Sequence, residues 1–254
     1  MHTHTRALPT LRSILFALGL LGSLVPDLAG AQTVQLYYAA PTAAMVSTFG
    51  AGSVFGGVAD GYRAVPVTPA NSAAFQSIAP PNVLRTYNAL QPGTTLRNRM
   101  DGVLRVSGGV VDVSIVLFDD RTGISGHSSF ATSTNAAGQQ YIWPAAGVGP
   151  KQANNRYQAA IGVGEQASAH IQTWPGGWLA WEGALLHESL HTQFVGEKTK
   201  WGGPTGNGVD IVYGGDGSHW IFELLGEQEL PFEEGLGTFY GTMHNNPEGA
   251  RNLV

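Results

Sequence analysis

Residues 174–196 read WPGGWLAWEGALLHESLHTQFVG. Trp174-Pro175-Gly176-Gly177 is a turn signal. From Trp178 to Phe194 there is no proline. Apolar residues recur at Trp178, Trp181 and Leu185, and again at Leu186, Leu190 and Phe194. That spacing predicts a helix, closed by Gly196. Within it stands His187-Glu188-Ser189-Leu190-His191, the pattern H-E-x-x-H. Histidines four apart lie one turn apart on the same helix face. Both imidazoles then reach a single ion at about 2.0–2.1 Å. Glu188 does not easily reach that ion, but it reaches a water on it and can take its proton. The spacing thus assigns two ligands, His187 and His191, and one base, Glu188, around Zn2+. The competing use of the pattern is an ordinary amphipathic helix whose histidines find other partners.

Upstream of the turn the pattern is different, and residues 32–125 read as β-rich. Thr33–Tyr38 is a short β-branched and aromatic run. Val103–Val106 and Val110–Phe118 read as a hairpin around Ser107-Gly108-Gly109. Asp119–Gly123 reads as a turn, and Ala43–Phe49 and Ala70–Ala79 as short helices. Residues 126–254 form the candidate catalytic region. It opens with loop and a strand at Gln140–Trp143, followed by strands at Tyr157–Val163 and Ala167–Thr173. Helices follow: the one carrying H-E-x-x-H, one behind Ser218, and one from Pro231 through Glu234 to Tyr240. Strands first and helices last predict an α+β class, with the metal site in the helical C-terminal part. The two regions are compatible with one domain.

A catalytic zinc usually has three protein ligands and one open position. No histidine follows His191 before Gly202, so the third ligand is sought among acids. One is Glu234, in Phe232-Glu233-Glu234-Gly235-Leu236-Gly237. Here the chain resembles the gluzincins, H-E-x-x-H zinc metallopeptidases (zincins) in which a second helix carries a glutamate ligand followed by glycine. The resemblance implies a zincin-like catalytic domain with Glu234 as third ligand and Glu233 as its non-ligating neighbour. Thermolysin-like gluzincins carry an aspartate four residues after the ligand; Thr238 stands there in this chain. The other acid is Asp210, in Gly208-Val209-Asp210-Ile211-Val212-Tyr213-Gly214. This run resembles part of the aspzincin motif, in which tyrosine and glycine follow an aspartate ligand. Asn207-Gly208 replaces the Gly-Thr pair of that motif. Tyr213 and His219 are candidate hydrogen-bond donors to an oxyanion. His127, His170 and His244 lack partner spacing and read as structural.

The remaining sequence limits where and on what such a site acts. Residues 1–12 carry Arg6 and Arg12 and no acid. Ser13–Val25 is apolar but shorter than the roughly 20 residues of a spanning helix. Ala29-Gly30-Ala31 then offers small residues, the three-part pattern of a signal peptide over residues 1–31 cleaved after Ala31. The expected location is secreted or periplasmic, with no membrane span after cleavage. Loss of Arg6, Arg12 and Asp27 turns 13 basic and 18 acidic residues into 11 and 17, a net −6. Such a balance lacks the basic stripe that nucleic acid requires. The absence of cysteine excludes thiolate ligands and disulfides, leaving the core and bound ions to stabilise an exported chain. The leading expectation is a zinc peptidase acting on peptide or protein substrates. The alternatives are an exported protein that holds metal without catalysis, and a zinc hydrolase of a non-peptide ester or amide.

Overall fold

Residues 111–118, Val-Asp-Val-Ser-Ile-Val-Leu-Phe, bury side chains on both faces, the property of a strand covered on both sides. In the computed structural model this strand is the middle of a five-stranded sheet. The structure describes residues 34–51, 61–105, 110–124, 130–148 and 153–193. Within them the strands are β1 (Val34–Pro41), β2 (Tyr62–Pro66), β3 (Val111–Phe118), β4 (Thr132–Thr134), β5 (Gln140–Ile142), β6 (Ala145–Val148) and β7 (Tyr157–Gly164). The helices are α1 (Thr42–Phe49), α2 (Ser72–Ile78), α3 (Pro81–Ala89), α4 (Thr95–Leu104), α5 (Glu165–Ile171) and α6 (Trp178–His191).

The sheet order is β2-β1-β3-β7-β6. The inner three strands are parallel, with Ile115 of β3 level with Leu36 on one side and Ile161 on the other. Both edge strands, β2 and β6, run antiparallel to their neighbours. The helices supply the core of one face, where Phe75, Leu96, Met100, Trp181, Leu185 and Leu190 meet Ile115, Leu117 and Ile161. A smaller core on the other face joins Tyr62, Val116, Phe118, Ile124 and Ile142. Parallel strands need long crossovers; the one from β1 to β3 carries α1 to α4, and α5 and α6 follow β7. The fold is therefore α and β mixed, with a mixed sheet and six helices among the described residues.

Three expectations from the sequence change. The region 32–125 is not mainly β, because α1 to α4 lie within it. Val103 and Leu104 end α4 instead of opening a hairpin; with Leu96 and Met100 they form its buried face at helical spacing. β3 consequently takes parallel partners on both sides. Residues 165–171 are helix, not strand, so the chain turns helical directly after β7. One sheet spans residue 125, since β3 precedes it and β7 follows it. The signal-peptide residues lie outside the described residues, and no described helix is long and apolar enough to cross a membrane.

Two buried carboxylates fix the loops at the carboxyl ends of β3 and β7. Glu165 accepts from the backbone N–H groups of Asn82 and Val83 and from Asn82 Nδ2, all at 2.9 Å. It thus satisfies the open N-terminus of α3, where the helix dipole also favours an anion. Asp120 is fully buried and accepts from Ile142 N at 2.8 Å and Gln166 N at 3.0 Å. A Cβ on Gly164 would collide with that carboxylate, so glycine is required where β7 ends.

Burial pushes the Asp120 carboxyl up to about 6, against the pull of the two backbone donors. The unfolded value is about 3.9. Between these values the folded chain binds more protons than the unfolded chain. The Asp120 contribution is therefore greatest below pH ~4 and is lost as pH rises through ~6. Relative to Asp120→Asn, the wild type should lose roughly 2–3 kcal/mol between pH 4 and pH 7. Urea unfolding of both proteins across that range measures it; a difference that does not change with pH contradicts it.

Candidate metal centre

The H-E-x-x-H residues lie at the C-terminal end of α6. This helix begins after Gly176 and Gly177, whose φ values of +98° and +58° only glycine adopts readily. Trp181, Leu185, Leu186 and Leu190 point into the core, and Trp181 Nε1 donates to Thr86 Oγ1 of α3 at 2.9 Å. Ser189 is also buried, with its hydroxyl bonded to Leu185 O at 2.7 Å. This anchoring leaves His187, Glu188 and His191 half-buried on the remaining side. Trp178 stays partly exposed, with the Arg85 guanidinium 4.0 Å above its ring and Glu182 accepting from its Nε1 at 2.8 Å.

The two imidazoles converge. His187 Nε2 and His191 Nε2 are 2.9 Å apart, with ring centroids 4.6 Å apart and planes at 68°. A tetrahedral ion with bonds of about 2.0–2.1 Å sets two ligand nitrogens about 3.3 Å apart. The pair stands closer than that, in direct contact, and small side-chain rotations would open it to the spacing an ion requires. Soft thiolates are absent, and two imidazoles with a carboxylate suit zinc among common ions.

Glu188 is directed elsewhere. Its Oε2 accepts from the backbone N–H of Ala146 on β6 at 2.8 Å. β6 is an edge strand, so this amide faces away from β7 and toward α6. The carboxylate is thus held by the rim of the sheet, while the imidazoles one residue and three residues away approach each other. The sequence does not signal this contact. Ala145-Ala146-Gly147-Val148 has little strand propensity, and a backbone N–H leaves no mark in a side-chain motif.

Among the described residues, no group of three or more His, Asp or Glu side chains is placed to hold an ion. Glu234, Asp210, Tyr213 and His219 all lie outside the described residues, as do Glu233, His127 and His244. His170, expected to be structural, is exposed on α5 beside two tryptophans. Comparisons of the chain with protein-family models, with curated proteins and with solved structures gave no match.

Proposed function

We propose that the chain is an exported zinc metallopeptidase with a zincin-like, gluzincin-type catalytic domain. The observation that carries this reading is the convergence of His187 and His191 with Glu188 fixed beside them on one helix. His187 and His191 hold the ion, and Glu234 completes the set, with Asp210 as the alternative. Zinc there supplies Lewis acidity, polarising a carbonyl and making water acidic enough to react near neutral pH. Glu188 accepts the proton of the attacking water and returns it to the leaving amine. Tyr213 or His219 donates a hydrogen bond to the oxyanion.

Ala167–Thr173, read from the sequence as a strand, falls in and after α5 and offers no edge along which a substrate could align. β6 takes that role in this proposal. Alternate residues of an edge strand turn their backbone groups outward. Ala146 does so, and Val148, two residues on, follows. An extended peptide adding to this edge by strand addition would take over the Ala146 N–H that Glu188 holds in the free chain and would lie alongside that carboxylate.

Metal analysis and a peptidase assay test the reading. The wild type should carry one zinc per chain and hydrolyse peptides. His191→Ala should lose zinc and activity together. Of Glu234→Ala and Asp210→Ala, the true ligand should lower zinc affinity by 10-fold or more, roughly the scale of a lost metal contact. A wild type that binds no zinc, or a His191→Ala protein with full activity, refutes the proposal.

A further inference from the structure

Three segments outside the H-E-x-x-H motif bring aromatic rings together. Trp143 precedes β6, His170 sits on α5, and Trp174 lies in the turn before α6. Their ring centroids are 6.1 Å apart for Trp143 and His170, 6.1 Å for Trp143 and Trp174, and 5.9 Å for His170 and Trp174. Tyr141 of β5 joins at 6.4 Å from Trp143. Trp174 is 44% exposed, unusual for a residue whose burial is worth so much. It is nonetheless held firmly. Its N–H donates to Ile171 O at 3.0 Å and its C=O accepts from Gly177 N at 2.9 Å.

Beside these rings is a cavity of about 320 Å³, lined by Thr134, Asn135, Ala136, Tyr141, Gln166 and His170. Tyr141 is only 7% exposed, and its hydroxyl has no hydrogen-bond partner among the described residues. The same is true of the indole N–H groups of Trp143 and Trp174. The amides of Asn135 and Gln166 are bonded to each other at 2.7 Å, so this side of the cavity is fixed.

We infer that Tyr141, Trp143, His170 and Trp174, with the adjoining cavity, bind a neutral saccharide. The lining carries no carboxylate, ammonium or guanidinium, which disfavours ionic ligands. The rings touch one another, leaving no cage between them for a quaternary ammonium. A sugar ring presents an apolar C–H face to stack on indole, and hydroxyls at its rim for the phenol and indole groups that no described residue engages. An apolar peptide side chain would stack equally well but leave those donors unpaired, at a cost in affinity. The volume lies at the low end of ligand sites, about 300–1,000 Å³, and suits one or two sugar rings. The inference stands apart from the peptidase reading, since none of these residues belongs to the proposed zinc site.

Calorimetric titration of the full chain with cellotetraose, chitotetraose, maltotetraose and mannotetraose tests it, with an N-acetyl-tryptophan amide peptide as comparison. At least one saccharide should bind saturably. Trp174→Ala should weaken it about tenfold or more, the loss of one stacked ring. Its circular dichroism melt should match wild type, since Trp174 is partly exposed. Glu188→Ala should bind the saccharide as wild type does, which separates this site from the catalytic one. Binding of none of the four saccharides overturns the inference. So does equal binding by Trp174→Ala, or tighter binding of the tryptophan peptide than of any saccharide.

Discussion

Replacing Glu188 by alanine should lower peptide hydrolysis by about 10²–10⁴-fold, the usual contribution of a positioned general base. Zinc content should stay at the wild-type level, because His187 and His191 keep their positions on α6. The split between lost turnover and retained metal distinguishes a base from a ligand. Glu188→Gln sharpens the test. The amide is nearly the same size and its oxygen can still accept from Ala146 N, so the contact to β6 survives while the proton acceptor does not. Equal losses in both variants assign the effect to proton transfer. Recovery in the glutamine variant assigns it to anchoring on β6. Full activity in Glu188→Ala would end the proposed mechanism.

The largest stability effect should come from Trp181→Ala. Trp181 is fully buried, packs among α3, α4 and the sheet, and its Nε1 serves the buried Thr86 hydroxyl at 2.9 Å. Truncation leaves a cavity and an unpaired hydroxyl, at a cost of about 3–5 kcal/mol. In a chain of this size that lowers Tm by roughly 10 °C or more. Trp181→Phe isolates the hydrogen bond and should cost less, about 1–3 kcal/mol. Urea and thermal unfolding followed by circular dichroism measure both. Because Trp181 and Leu185 anchor the helix that carries the histidines, zinc affinity in Trp181→Ala should fall as well. A loss below about 1 kcal/mol would show that α6 is held in place by other contacts.

The helix and the histidine pair were legible in the sequence because both are local properties. Apolar spacing marks the buried side of α6, and a four-residue interval places His187 and His191 one turn apart wherever the helix packs. The strand at Val111–Phe118 was legible for a related reason, the apolar residues Val111, Val113, Ile115 and Leu117 at every second position. The pairing of that strand was not. Val103 and Leu104 suit a strand as well as a helix, and their burial with Leu96 and Met100 decided for helix. Residues 167–173 also read as strand by alternation. In the fold, Glu165 closes the N-terminus of α3, while Ala167, Ser168 and Ile171 turn inward at helical spacing. Short segments carry both periods, and partners far along the chain choose between them.

The H-E-x-x-H helix and the placing of His187 and His191 one turn apart were determined by the sequence alone, through intervals of one to four residues, and the roles proposed for these histidines and Glu188 rest on the same intervals. Tertiary structure alone decided that β6 runs beside that helix with the Ala146 amide on Glu188, and that Trp143, His170 and Trp174 meet around one cavity. These contacts join residues up to 42 positions apart through backbone groups and ring faces. No spacing rule encodes them, because they depend on which strand pairs with which and on which face of the sheet each helix covers.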